Sequence, residues 1–147
     1  MKVADFMSVD PVTIAPDLLL PKVWILISQK HVHGLPVVNN KKRLVGFVSK
    51  EDMLAKLFPE TEDPEEMFAD TDTDIEERLG KLKKMTVDKI MNTHVMFTRV
   101  DTPLLRALSR MIVRKVRQLP VLDENDRLVG MISKGDVFKG VFRNKAI

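Results

Sequence analysis

Apolar positions along the chain rise and fall in one order, and then run through that order again. A short β-branched stretch, Pro11 to Ala15, precedes apolar residues at helical spacing, Leu20, Pro21, Trp24 and Ile27. The apolar run Leu35 to Val38 reads as a buried strand, and Asn39-Asn40-Lys41-Lys42 supplies turn residues that tolerate unusual backbone angles. Leu44 to Val48 reads as the return strand, and a last helix opens at Ser49. The second pass gives Val95 to Thr98, then a helix with Leu105, Leu108, Met111 and Ile112 on one face. It continues through Leu119 to Leu122, the turn Asp123-Glu124-Asn125-Asp126, the strand Leu128 to Ile132 and a helix from Ser133. Each half therefore predicts strand, helix, strand, tight turn, strand, helix. Asp17 stands ahead of the first long helix, and Asp101 or Thr102 can cap its counterpart with Pro103 in the first turn. Trp24 is expected in the core.

The recurrence is literal. Gly34-Leu35-Pro36-Val37-Val38 returns as Gln118-Leu119-Pro120-Val121-Leu122, and Arg43 to Asp52 returns as Arg127 to Asp136, at an offset of 84 residues without a gap. Val3 and Met7 map onto Val87 and Met91. A repeat defines the folding unit and doubles any site that the unit carries. The expected division is residues 1–58 for repeat one, an acidic and partly helical linker at 59–84, and residues 85–147 for repeat two. Within the linker, Ile75, Leu79 and Leu82 have the spacing of a helix that docks on the rest.

Composition adds a bias and several exclusions. A chain of 147 residues, 44% hydrophobic and 31% charged, has the profile of a globular domain able to bury a core. It has no cysteine, which excludes disulfides, thiolate metal sites and thiol catalysis. No signal-like start or membrane-length apolar run is present in the sequence, so a cytoplasmic protein is expected. Between Glu60 and Glu77 lie ten of the 21 acids and no Lys or Arg, so the remaining 11 face 24 basic residues, about +13 in the repeats. Such a field favours anionic partners: phosphorylated small molecules, nucleic acid or acidic surfaces.

Few residues have spacings that carry chemistry. Gly46 and Gly130 sit inside the return strands, where glycine marks a bulge or a close approach. Ser49-Lys50-Glu51-Asp52 and Ser133-Lys134-Gly135-Asp136 fit capping boxes, yet a helix N-terminus after a strand can also receive an anion. Residue chemistry leaves both readings open. Asp70-Thr71-Asp72-Thr73-Asp74 opens like a calcium loop but fails it, with Ile75 at the glycine position and Lys81 at the closing glutamate. His31 and His33 would share a face on a strand, but a metal site there lacks a placed third ligand. No nucleophile–base pair, phosphate loop or dinucleotide motif appears, so no enzymatic activity and no metal site are expected.

Taken together, Val3-Ala4-Asp5-Phe6-Met7, Pro11-Val12-Thr13-Ile14, Gly34 to Val38 and Gly46 to Asp52 resemble a CBS domain, and Val87 to Asp136 resemble a second. The chain is similar to a tandem CBS pair, or Bateman module, over nearly its whole length apart from the linker. The resemblance implies an α/β fold, two pseudo-symmetric units packed sheet to sheet with two clefts. It further implies binding of adenosine-containing ligands, AMP, ADP, ATP or S-adenosylmethionine, with or without magnesium. Carried over, Asp52 and Asp136 accept from ribose hydroxyls, and Ser49 and Ser133 reach ribose or phosphate. Val12, Thr13 and Ile14, and Met96, Phe97 and Thr98, hold adenine. Gly34, Leu35 and Pro36, and Gln118, Leu119 and Pro120, form the opposite walls. His33 and Arg117 meet phosphate, with Lys50 and Lys134 as second choices. Phe97 replaces the Thr13 of repeat one, and Arg117 is permanently charged where His33 is mostly neutral, so the two sites are expected to differ.

The same resemblance implies a homodimer and a separate regulated protein. Two other classes stay open: a structural or dimerisation module whose Ser/Asp pairs are only helix caps, and a weak nucleic-acid binder drawn by the basic charge.

Overall fold

The structure is a computed structural model and describes residues 1–58, 65 and 72–143. Its chain divides into two compact units that do not follow the sequence repeats. One contains residues 1–12, 40–44 and 94–147, the other residues 13–39 and 45–93. The opening segment of each repeat thus belongs to the unit built mainly from the other repeat. Repeat boundaries near residues 58 and 85 mark the duplication in sequence, whereas the folded units exchange their first segments.

In the first unit, helix α1 (Val3–Phe6) leads into β1 (Ser8–Val9), which joins a sheet made by the second repeat. That sheet has the order β1, β6 (Leu128–Ser133), β5 (Gln118–Leu122), β4 (Thr98–Arg99). β1 pairs antiparallel with β6 through Ser8–Met131 and Val9–Gly130, and β5 pairs antiparallel with β6. β4 runs parallel to β5, so the chain between them must cross over, and helix α5 (Leu104–Val113) provides the crossover. Helix α6 (Lys134–Arg143) follows β6. Val3, Leu104, Ala107, Met111, Leu119, Val121, Ile132 and Val137 form the core.

The second unit repeats this plan with shorter pairings. Its elements are α2 (Leu20–Lys30), β2 (Gly34–Val38), β3 (Leu44–Ser49), α3 (Lys50–Ala55), α4 (Asp72–Leu82) and a 3-10 turn at Val87–Lys89. A single parallel bridge, Ile14–Val37, stands where repeat two has β4–β5. A single antiparallel bridge, Phe47–Asn92, stands where it has β1–β6. The expected strand at residues 11–15 is therefore one bridge at Ile14, and the strand expected at 95–98 lies at Thr98–Arg99. Ile14, Leu20, Val23, Ile27, Leu35, Val37, Val48, Met53 and Val87 form this core, with Leu82 of the linker helix packed against it.

The glycines in the return strands mark close approach. A Cβ on Gly130 would lie 2.7 Å from both Met7 Sδ and Ser8 O, and one on Gly46 would lie 2.5 Å from Met91 Sδ. Met7 and Met91 are equivalent in the repeats, so the same methionine–glycine contact joins exchanged segment to host twice. The register also shifts once: Val121 pairs with Gly130 and Leu122 with Leu128, so Val129 is an extra residue of β6 beside Gly130.

Several expectations are corrected. Trp24 is 43% exposed, because the buried face of α2 is Leu20, Val23 and Ile27. Instead of filling the core, Trp24 lines an apolar groove with Leu20, Met53, Leu57 and Leu79. On α5, Leu105 and Ile112 are exposed and the buried positions are Leu104, Ala107 and Met111, a face rotated by about one residue. Leu19 and Pro103 occupy the N-cap positions without a side-chain bond, so Asp17, Asp101 and Thr102 do not cap. Thr102 Oγ1 accepts from the Arg99 N–H instead. His31 ends α2 in the left-handed region at φ 52°, so it does not alternate with His33 along a strand. Among the described residues, no group of three metal-ligating side chains occurs. Pro59, the acidic run as far as Asp70-Thr71 (Glu65 apart) and residues 144–147 lie outside the described residues, while Asp72 and Asp74 already belong to α4.

The turn expectation is met at equivalent positions, Lys42 and Asp126, both at φ 62°. Asp123 organises the second turn, accepting from the N–H groups of Asn125 and Arg127. The Arg127 backbone bond is the main cause that holds its carboxyl below the usual aspartate range. Lys115 repeats the His31 conformation at φ 56°, where a side chain is disfavoured by the Cβ–carbonyl clash. Lys115→Gly is expected to stabilise the protein by about 0.5–1 kcal/mol in urea unfolding.

Candidate ligand-binding site

Each return strand ends in a serine that caps the helix after it. Ser49 N–H donates to Asp52 Oδ2 at 2.8 Å and Asp52 N–H donates to Ser49 Oγ at 3.2 Å. Repeat two reproduces the box at 2.9 and 3.0 Å through Ser133 and Asp136. The next backbone donor is used as well: Lys50 N–H donates to His33 O at 2.9 Å, and Lys134 N–H to Arg117 O at 3.2 Å. These bonds occupy three of the four backbone donors at each helix end, those of residues 49, 50 and 52 and of 133, 134 and 136, and α3 has only six residues to supply a dipole. Any anion here must be met mainly by side chains. Each box engages only Oδ2 of its aspartate, and both aspartates are half-buried.

The Lys–carbonyl bond also fixes distance along the chain. It ties His33 and Lys50 together in one unit and Arg117 and Lys134 in the other, so the backbones of the basic residues named from sequence lie beside the capping boxes. Lys50 and Lys134 are half-buried, whereas His33 and Arg117 are exposed.

The other expected wall forms by backbone pairing. Ile14 N–H donates to Pro36 O at 3.1 Å and Val38 N–H to Ile14 O at 3.0 Å, which sets residues 13 and 14 beside Leu35 and Pro36. Val12 and Thr13 are exposed, and Gly34, Leu35 and Pro36 are buried. In repeat two, Thr98 pairs with Val121 on the strand that carries Gln118, Leu119 and Pro120. Thr98 is 1% exposed, and its Oγ1 has no hydrogen-bond partner among the described residues. A buried hydroxyl left unsatisfied costs about 1–3 kcal/mol. Repeat one carries Ile14 at that position, so the fold itself does not need a hydroxyl. Thr98→Val is expected to raise stability by about 1 kcal/mol, or a few degrees in a thermal melt.

Not all the expected residues share one cavity. Met96 and Phe97 line a cleft of about 410 Å³ with Arg99, Thr102, Arg110 and Arg114. Asp136 lines another of about 380 Å³ with Asp5, Lys139 and Arg143. The arginines of the first cleft were not among the residues singled out from sequence. Their signal was present as a departure between repeats, since Arg99 and Arg110 replace Ala15 and Leu26.

A family model for the CBS domain matches residues 3–59 and again residues 87–143. The chain belongs to the CBS domain family. As a tandem CBS protein it is 27% identical to an uncharacterised protein of Methanocaldococcus jannaschii, over 96% of this chain and 91% of that protein. It is 31% identical to a CBS domain-containing protein of Dictyostelium discoideum, over 92% of this chain and 87% of that one. Against CBSX2, a chloroplastic CBS domain-containing protein of Arabidopsis thaliana, identity is 28%, over 90% of this chain but 59% of the relative. The crystal structure of CBSX2 in complex with AMP superposes with a TM-score of 0.76 at 27% identity, covering 97% of this chain and 96% of that one. The expected fold, two α/β units of one topology, is therefore that of a CBS pair. No helix among the described residues is long and apolar enough to cross a membrane.

Proposed function

We propose that this tandem CBS protein is a non-catalytic sensor of adenine nucleotides that acts on a separate protein. One observation carries the reading: a relative of the same fold, 27% identical over almost the whole chain, has been solved with AMP. The geometry of the repeats supports it. Asp52 and Asp136 each keep Oδ1 outside the capping box, and a second acceptor oxygen is what a ribose diol requires. In this reading Ser49 and Ser133 set the aspartate orientation and reach ribose or phosphate. Residues 12–14 and 96–98, with Gly34, Leu35 and Pro36 and with Gln118, Leu119 and Pro120, hold adenine. His33 and Arg117 meet the phosphate, assisted by Lys50 and Lys134.

Ligand binding changes a partner's behaviour only through unequal affinity for two states of the module. A homodimer is part of the proposal. The exposed apolar residues Leu105, Ile112 and Val113 on α5, and the stacked pair Phe138 and Phe142 on α6, support it as surface that a second copy would cover.

A second reading has its own support: the two capping boxes give Ser49, Asp52, Ser133 and Asp136 a purely structural task. A thermal-shift titration of ligand-stripped protein separates the two. The panel is AMP, ADP, ATP and S-adenosylmethionine, with and without magnesium, with GTP as control. A ligand at a hundred times its Kd stabilises one site by about 2.7 kcal/mol. A shift with adenine compounds alone supports the sensor, and a flat panel returns the capping residues to the structural reading.

A further inference from the structure

The cleft lined by Phe97, Arg99, Thr102, Arg110 and Arg114 collects three arginines around about 410 Å³, and no carboxylate among the described residues lines it. Two of the three are held in place by Phe97. Arg110 Nη1 donates to Phe97 O at 2.8 Å, and the Arg99 guanidinium carbon lies 5.3 Å from the centre of the Phe97 ring. Arg99 is fixed further by Asp123 O and Asp126 Oδ1, both at 2.7 Å. Arg114 stands four residues beyond Arg110, at the C-cap of α5, and is exposed.

The fold does not require the charges of Arg99 and Arg110. At the same positions repeat one has Ala15, Leu18, Leu26 and Lys30, and both leucines pack against the core of their unit. Repeat two replaces Leu26 by Arg110 and Leu18 by Thr102, trading apolar packing for donors. Arg110 and Arg114 also bring like charges four residues apart at the C-terminal end of α5, where the helix dipole offsets part of their repulsion. Such costs are offset when an anion sits among the cations, and planar guanidinium forks suit phosphate oxygens in particular.

We propose that the second repeat carries an anion subsite between β4 and α5, absent from the first repeat, that takes a diphosphate group. Arg110 and Arg114 make the main contacts. Arg99 is positioned by Asp126 and supplies field and residual donors. Neither Asp52 nor Asp136 takes part, so the subsite stands or falls independently of the ribose reading. The diphosphate can arrive as the tail of a nucleotide whose base lies along Met96 and Phe97, or as a free inorganic anion.

The test is isothermal titration calorimetry of the full chain with inorganic pyrophosphate, without magnesium, followed by ADP and AMP. The wild type is expected to bind pyrophosphate, more weakly as salt rises. R110L, which installs the residue of repeat one, and R114A are each expected to lose about tenfold or more in pyrophosphate affinity. R106A, which removes an exposed arginine of α5 that does not line the cleft, is expected to leave that affinity unchanged. If R110L and R114A also narrow the preference for ADP over AMP, the nucleotide tail is the source. If pyrophosphate binding falls while both nucleotides bind as before, a separate anion is the source. Both outcomes support the subsite. Failure of pyrophosphate to bind the wild type, or equal binding by R110L and R114A with melting temperatures near wild type, overturns it. Because Arg110 lies in the last turn of α5 and Arg114 at its C-cap, misfolding of one variant leaves the other to decide.

Discussion

Replacing Gly34 by alanine is expected to be among the most destabilising single-atom additions in the protein. A Cβ there would lie 2.4 Å from Val48 O and 2.6 Å from Phe47 Cε1, with Ser49 Cα at 3.0 Å. The ring can turn away, but the carbonyl and the Cα belong to the strand that leads into the Ser49 cap. Relief must therefore move backbone, and overpacking of this kind costs about 1–3 kcal/mol, at the upper end when no side chain can yield. For a chain of this size, about 3 kcal/mol corresponds to a fall of roughly 6–12 °C in melting temperature. The equivalent residue, Gln118, already carries a side chain and is half-buried, so Gln118→Ala should shift the melt by no more than a degree or two, roughly 0.5 kcal/mol. Differential scanning calorimetry of both variants checks the contrast. Similar melting temperatures for the two would refute the close approach.

The second large effect concerns Asp52 and Asp136. Each carboxylate accepts the N–H of its capping serine through Oδ2, so Asp→Ala loses one arm of the box and about 1 kcal/mol. Asp→Asn keeps an oxygen acceptor for that N–H and should leave the melt nearly unchanged. Its effect on ligand is different in kind. A hydrogen bond to a charged group contributes about 1.5–3 kcal/mol, so loss of the carboxylate charge is expected to weaken adenosine binding about 10–100-fold at each site. A protein in which Asp→Asn changes neither stability nor affinity would have aspartates that serve only as caps.

Much of this account can be read from sequence because the duplication is exact in length. The offset of 84 residues pairs Ser49 with Ser133, Asp52 with Asp136 and Lys42 with Asp126, and each pair has the same local structure. Capping boxes and turns are legible since both are decided within four residues. Helix faces were less so. Apolar spacing on α5 fits Leu105 and Ile112 as well as Leu104 and Met111, and only packing selects the second set. Trp24 misled for a related reason, since a large apolar residue can line a groove as readily as fill a core. The exchange of residues 1–12 and 87–93 between units has no local signal, because β1 is two residues long and its partner β6 is over a hundred residues away. Arg99, Arg110 and Arg114 are scattered in sequence and meet only when β4 lies beside α5. Comparing the two repeats position by position points to Arg99 and Arg110, charges that one copy carries and the other does without, whereas Arg114 matches the cationic Lys30.

The central claim is that this CBS pair binds an adenine nucleotide through its duplicated aspartates. The most direct measurement is isothermal titration calorimetry of AMP into ligand-stripped wild type and into the Asp52→Asn/Asp136→Asn double variant. The account predicts saturable binding by the wild type, with at most two AMP per chain, and about a 10–100-fold loss at each site in a double variant that melts normally. Equal AMP affinity in the two proteins, or no binding by the wild type, would contradict it.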